Sequence, residues 1–141
     1  MLDLVTNTIT ALQAETASYP YAVQTWMKVM GMSFVASLVF VRSKTGARWI
    51  FAALIVNIAG LVIGKMVFPD ASRTVIGTYV HLLFWPAILW AVWGSAREHS
   101  LCSKQNRTFD WIYVVWLGWA SLLMSISLVF DIRTLASLWL D

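Results

Sequence analysis

Four long apolar runs dominate this 141-residue chain: 21–41, 49–68, 75–93 and 111–130. Each holds 19 to 21 residues. A helix rises ~1.5 Å per residue, so each run reaches across a hydrocarbon layer of ~30 Å. Backbone polar groups in lipid must be bonded within their own segment, and a helix does this. The sequence therefore predicts an all-α integral membrane protein, a four-transmembrane-helix bundle forming one domain over 1–141. Composition agrees: 60% of the residues are hydrophobic and 12% charged, against about a quarter charged in soluble domains. The lipid bilayer is the first expected partner. The net charge of +3 does not indicate nucleic acid, because Lys and Arg sit mainly at run ends and in short connections, as membrane topology requires.

The same charges give an orientation. Arg42, Lys44 and Arg48 follow the first run, and Arg97, Lys104 and Arg107 follow the third. Lys65, Arg73 and Arg133 lie on the other side. The excess predicts that the first and third connections are cytoplasmic and that both termini face outward, in a bacterial-type inner membrane. Asp3 and the lack of Lys or Arg in the first ten residues speak against a cleavable signal peptide. Both ends carry apolar residues at helical spacing: Leu2, Val5, Ile9 and Leu12 within 1–18, then Ile132, Leu135, Ala136 and Trp139 within 131–141. These predict short amphipathic helices at both termini, lying on the outer interface. Tyr19-Pro20 ends the first of them. The lone cysteine, Cys102, allows no internal disulfide and reads as an inert loop thiol.

Two stripes of small residues suggest where helices meet. Ala53, Asn57, Gly60 and Gly64 fall on one face of the second run, and Gly60 to Gly64 is a GxxxG pattern that admits a close neighbour. Gly118, Ser121 and Ser125 form the matching stripe in the fourth. The contact is either within one chain or between subunits.

Polar side chains inside apolar runs are costly and so invite a functional reading. Lys28 stands seven residues into the first run, with Gln24 one turn before it. His81 belongs to the stripe Thr74, Thr78, His81, Trp85. Lys65 ends the second run, Asp131 follows the fourth, and Asn57 lies mid-run. Helix directions put Lys28, Lys65, His81 and Asp131 toward the same, outer side. They predict an outward-facing cationic cavity with Asp131 as counter-ion. Histidine changes charge in the physiological pH range, and Pro86, five residues on, removes a helix hydrogen bond; together they suggest a gate. The bland readings are a snorkelling Lys28 and a neutral His81 bonded to a neighbouring helix. No haem or metal is expected at His81, since the other histidine, His99, lies in the opposite loop. The chain carries no HExxH, cysteine pair or paired carboxylates, so no cofactor and no enzymatic chemistry is predicted.

A bundle this small has little room for a pore of its own, so transport implies a homo-oligomer. The leading expectation is an oligomeric channel or transporter-like protein. The alternatives are an accessory or assembly subunit of a larger membrane complex, and a lipid- or quinone-binding protein.

Overall fold

The structure is a computed structural model. It describes the backbone of residues 2–102 and 107–140, and the side chains in those stretches except at 2, 96–102, 107–109 and 138. Five α-helices follow one another: α1 (Leu2–Ala17), α2 (Tyr21–Val35), α3 (Thr45–Val67), α4 (Arg73–Cys102) and α5 (Arg107–Leu140). A single 3-10 turn, Ala36–Val39, extends α2. No strand occurs among the described residues. Four stretches are long and apolar enough to cross a membrane: Tyr21–Val39, Thr45–Val67, Arg73–Ser95 and Asp110–Ser137. They fall on the four apolar runs.

Local chemistry explains the breaks. Pro20 precedes α2 with φ −54° and ψ 145°, because proline disfavours a helical residue before it and lacks an N–H to donate. Phe68, before Pro69, leaves the helix at φ −124° and ψ 76° for the same reason. Ser72 then caps α4: its Oγ accepts from the Val75 N–H at 3.3 Å, satisfying one of the free donors at the helix start.

α4 runs through Pro86. Two elements differ from the sequence expectation. The first run is α-helical only to Val35 and finishes as the 3-10 turn. The C-terminal segment is not a separate interfacial helix, because α5 runs unbroken over 34 residues. Nothing between Gly118 and Leu140 breaks a helix, and Asp131 turns into the bundle instead of ending the turn. At the N-terminus a distinct helix does form, and α1 packs on α3 and α4.

α3 and α4 are the most closely paired helices, and the glycine stripe is the reason. A Cβ on Gly60 would come within 2.7 Å of Val80 Cγ2, and one on Gly64 would collide with Ile76. The GxxxG pattern thus serves contact within the chain. Ala53 and Ser121 are buried, whereas Gly118 and Ser125 are exposed. Open space lies beyond Gly118, and Ser125 donates back to the Ser121 carbonyl at 2.8 Å. The expected packing stripe on α5 is therefore reduced to Ser121.

The core fills the half of the bundle remote from α1. Met30, Phe34, Phe40, Ile50, Trp85, Ile88, Tyr113 and Met124 pack there from all four long helices. Tyr113 reaches the start of α3 because Gly46 has no side chain to meet its hydroxyl. At this end Lys44 pairs with Asp110 at 2.5 Å. α2 is tied to α5 through Ser33, whose carbonyl accepts from Trp116 Nε1 at 3.0 Å and whose Oγ contacts Trp119 Nε1 at 3.1 Å. The outward faces are apolar: Met32, Val39, Leu83, Trp90, Trp111 and Val129 are all exposed.

Candidate functional site

Three helices bring polar side chains to one point. α4 contributes Thr78, His81 and Trp85 from positions three and four residues apart, which lie on one helix face. α3 contributes Asn57 and α5 contributes Asp131. His81 Nδ1 lies 2.8 Å from Asp131 Oδ2. Thr78 Oγ1 donates to the other carboxylate oxygen at 3.1 Å. His81 Nε2 lies 3.3 Å from the Asn57 carboxamide oxygen, Oδ1. The imidazole stacks on Trp85, with ring centroids 3.8 Å apart and planes inclined by 28°. Trp85 is fully buried and meets Phe34 edge-on at 5.8 Å. The His81 and Asp131 side chains are 11% and 14% exposed, so water screens the pair weakly.

The carboxylate fixes the proton on one ring nitrogen. A carboxylate has only acceptors, so the nitrogen facing it must carry a hydrogen. Nδ1–H therefore donates to Asp131, and Nε2 faces the Asn57 carbonyl oxygen. Asp131 holds the ring much as an outer carboxylate orients a working histidine.

A cavity of about 300 Å³ opens beside this cluster. Its walls are Val23, Met27, Met30, Gly31 and Phe34 of α2 facing Leu54, Ile58 and Leu61 of α3. Gly77 closes it on the α4 side, and Asn57 and His81 give it a polar edge. Tyr19, Arg73 and Thr74 line it at the α1 end. His81 is eight residues along α4 from Arg73, about 12 Å deeper. Beyond it the Trp85–Phe34 contact and the apolar core fill the bundle.

The α1 end of the cavity is held by a set of polar ties. Glu15 Oε1 accepts from Lys65 Nζ at 2.5 Å, and its Oε2 accepts from the Arg73 backbone N–H at 2.7 Å. The carboxylate thus caps the start of α4, where the helix dipole favours negative charge. The Lys65 ammonium beside it holds the Glu15 carboxyl below the usual carboxylate range. Lys65 also donates to the Ala71 carbonyl at 2.9 Å. The Arg73 guanidinium bonds Thr16, and Tyr19 Oη meets Thr74 Oγ1 at 2.9 Å. Gln24 Nε2 donates to the Ala17 and Tyr19 carbonyls at 3.2 and 2.9 Å, which fixes the α1–α2 turn.

The residues singled out in the sequence thus divide. His81, Thr78, Trp85, Asn57 and Asp131 come together. Lys65 and Gln24 act in the ties to α1, and neither lines the cavity. Lys28 is exposed on α2 and forms no ion pair among the described residues. The cavity is consequently mainly apolar, with Arg73 its one cation, and not the cationic chamber that Lys28 and Lys65 would have made. Sequence reasoning missed the apolar wall, whose residues look like ordinary core, and it missed Glu15. Arg97, His99, Cys102, Lys104 and Arg107, read from the sequence as loop residues, have side chains outside the described residues. Comparison of the chain with protein-family models, curated proteins and solved structures gives no match.

Proposed function

We propose that this is a multi-pass membrane protein that binds a small lipid-soluble molecule in the cavity between α2, α3 and α4. The observation that carries this is the form of the cavity: largely apolar, lined at the α1 end by Tyr19, Arg73 and Thr74 and at its depth by His81 and Phe34. A chamber with few polar groups suits binding, where a pore would need a continuous path. The four long helices lie in the bilayer with their apolar outer faces against lipid. The α1 end faces outward, following the charge bias of the connections. α1 rests on the outer interface, held by Glu15 to α3 and α4.

Met27→Cys in a Cys102→Ser background tests the cavity. We expect a membrane-impermeant maleimide to label it from the outer side, and a saturating apolar competitor to slow the labelling. Reaction that no apolar compound slows would refute the binding reading.

A second reading, an oligomeric transporter, draws on a different observation. A histidine paired with a carboxylate inside a spanning segment is expensive and typical of proton relays. Under that reading a homo-oligomer supplies the path between subunits, and His81→Ala changes the pH dependence of flux in proteoliposomes. Flux with the same pH profile in the variant would end it.

A further inference from the structure

α2 carries a separate feature on another face. Tyr21, Thr25 and Lys28 follow at steps of four and three, so they form one stripe. All three are exposed, and among the described residues none makes a side-chain hydrogen bond or ion pair. Elsewhere the helical hydroxyls of Thr8, Thr16, Ser33, Ser125 and Thr134 bond back to the carbonyl four residues earlier. The Thr25 hydroxyl does not. Lys28 stands about 10 Å into its span, where an ammonium without a counter-ion is costly. A second copy of the chain brings no anion to that depth, because the two carboxylates inside the spans, Asp110 and Asp131, pair with Lys44 and His81. Beside the stripe a groove of about 420 Å³ runs between α2 and α5. Tyr21 and Thr25 line its outer part, and Trp26, Val29, Trp119 and Leu123 line the rest. It shares no lining residue with the cavity between α2, α3 and α4, so its occupancy is independent of that cavity's.

We propose that the α2–α5 groove holds an anionic phospholipid of the outer leaflet, its phosphate bonded by the Lys28 ammonium and the Thr25 hydroxyl and one acyl chain laid along Trp26, Val29, Trp119 and Leu123. The directions agree. Cα–Cβ bonds lean toward the helix N-terminus, which is the outer end of α2, and the long lysine stem carries the charge from that depth toward the headgroups. Tyr21, one turn further out than Thr25, stands at the level where amphipathic rings prefer to lie. The groove continues inward from there, as an acyl chain does, and its two indoles supply broad apolar walls. Lys28 also sets the selectivity. A zwitterionic headgroup carries its own cation beside the phosphate, so a basic side chain favours the lipid whose net charge is negative.

Lys28 and Val29 are both exposed, so replacing them leaves the packed core alone. The full-length protein and its Lys28→Met, Lys28→Arg and Val29→Trp variants are titrated in detergent with phosphatidylglycerol and with phosphatidylcholine of the same acyl chains. Bound lipids are counted by native mass spectrometry. We expect wild type to hold its first phosphatidylglycerol about fivefold more tightly than phosphatidylcholine. Lys28→Met loses most of that preference and Lys28→Arg keeps it. Val29→Trp fills the groove and weakens the first site for both lipids. A wild type that does not discriminate, or a Lys28→Met that discriminates as well as wild type, overturns the headgroup assignment. A Val29→Trp that holds both lipids as tightly as wild type overturns the placement of the chain in the groove.

Discussion

The pairing of His81 with Asp131 makes a quantitative prediction for the double-mutant cycle His81→Ala with Asp131→Ala. The hydrogen bond is 2.8 Å long, one partner is a carboxylate, and both side chains are more than four-fifths buried. Hydrogen bonds to charged groups contribute about 1.5–3 kcal/mol. Interhelical bonds measured in membrane bundles are weaker, averaging ~0.6 and reaching ~1.7 kcal/mol, because the unfolded helices also find partners. The geometry puts this pair near the top of that range, at about 1.5 kcal/mol of coupling. The longer Thr78–Asp131 bond, at 3.1 Å, belongs near the middle, at about 0.6 kcal/mol. Asp131→Ala alone costs more than the coupling, about 2–3 kcal/mol, since it leaves a buried ring N–H without an acceptor. The loss of stacking on Trp85 in His81→Ala cancels in the cycle. Unfolding in mixed micelles titrated with SDS, followed by tryptophan fluorescence, reads all four corners. A His81–Asp131 coupling below ~0.3 kcal/mol is within the scatter of independent sites and would refute the geometry on which the site is built.

Other parts of the fold predict separate outcomes. Glu15→Gln removes the Lys65 ion pair, and because the Glu15 side chain is 30% exposed the loss is modest, about 0.5–1 kcal/mol. The Glu15 carboxyl is held below its ordinary 4.5, so its contribution is full above that pH and disappears as pH falls through the lowered value. The stability difference between wild type and variant should therefore shrink on acidification, and a difference that is constant with pH contradicts this. Gly64→Val drives a branched side chain into Ile76 and should destabilise by about 1–3 kcal/mol. Gly118→Ala meets open space and should be neutral or stabilising by up to ~1 kcal/mol, so equal effects in thermal unfolding would contradict the α3–α4 packing. Lys44→Met removes the ammonium that pairs with the Asp110 carboxylate, whose side chain is 19% exposed, and should cost about 2 kcal/mol or more. Adding Asp110→Asn should recover part of that, as expected when a buried pair is removed whole.

Much of the architecture was legible because the apolar runs leave a helix no alternative. The four long helices lie on them, and their breaks fall at Pro20 and at Phe68-Pro69. The glycine face of α3 could be read from spacing, but its partner could not: GxxxG says only that something comes close, and Val80 and Ile76 on α4 make it an internal contact. The stripe Thr78, His81, Trp85 was visible by periodicity. What it faced was not, because the rotation of α5 about its axis decides whether Asp131 turns inward or ends a helix. Charged residues after an apolar run resemble an interfacial tail, and only the pairing with His81 shows why α5 continues. Lys28 and Lys65 were alike as intramembrane cations, yet one lies on the surface and the other bonds Glu15 across 50 residues. Such long-range pairing leaves no local pattern. The apolar walls of the cavity were hidden for a similar reason, since Met27, Ile58 and Leu61 differ from core residues only in what they fail to touch.

The most direct test of the binding account is native mass spectrometry of the protein released from nanodiscs made of its native membrane. Wild type is compared with Leu54→Trp, in which an indole fills the cavity. The account predicts a bound molecule well below the mass of the protein on wild type and its loss from the variant, with both proteins folded by circular dichroism. Bare wild type, or the same bound species on both, would contradict it.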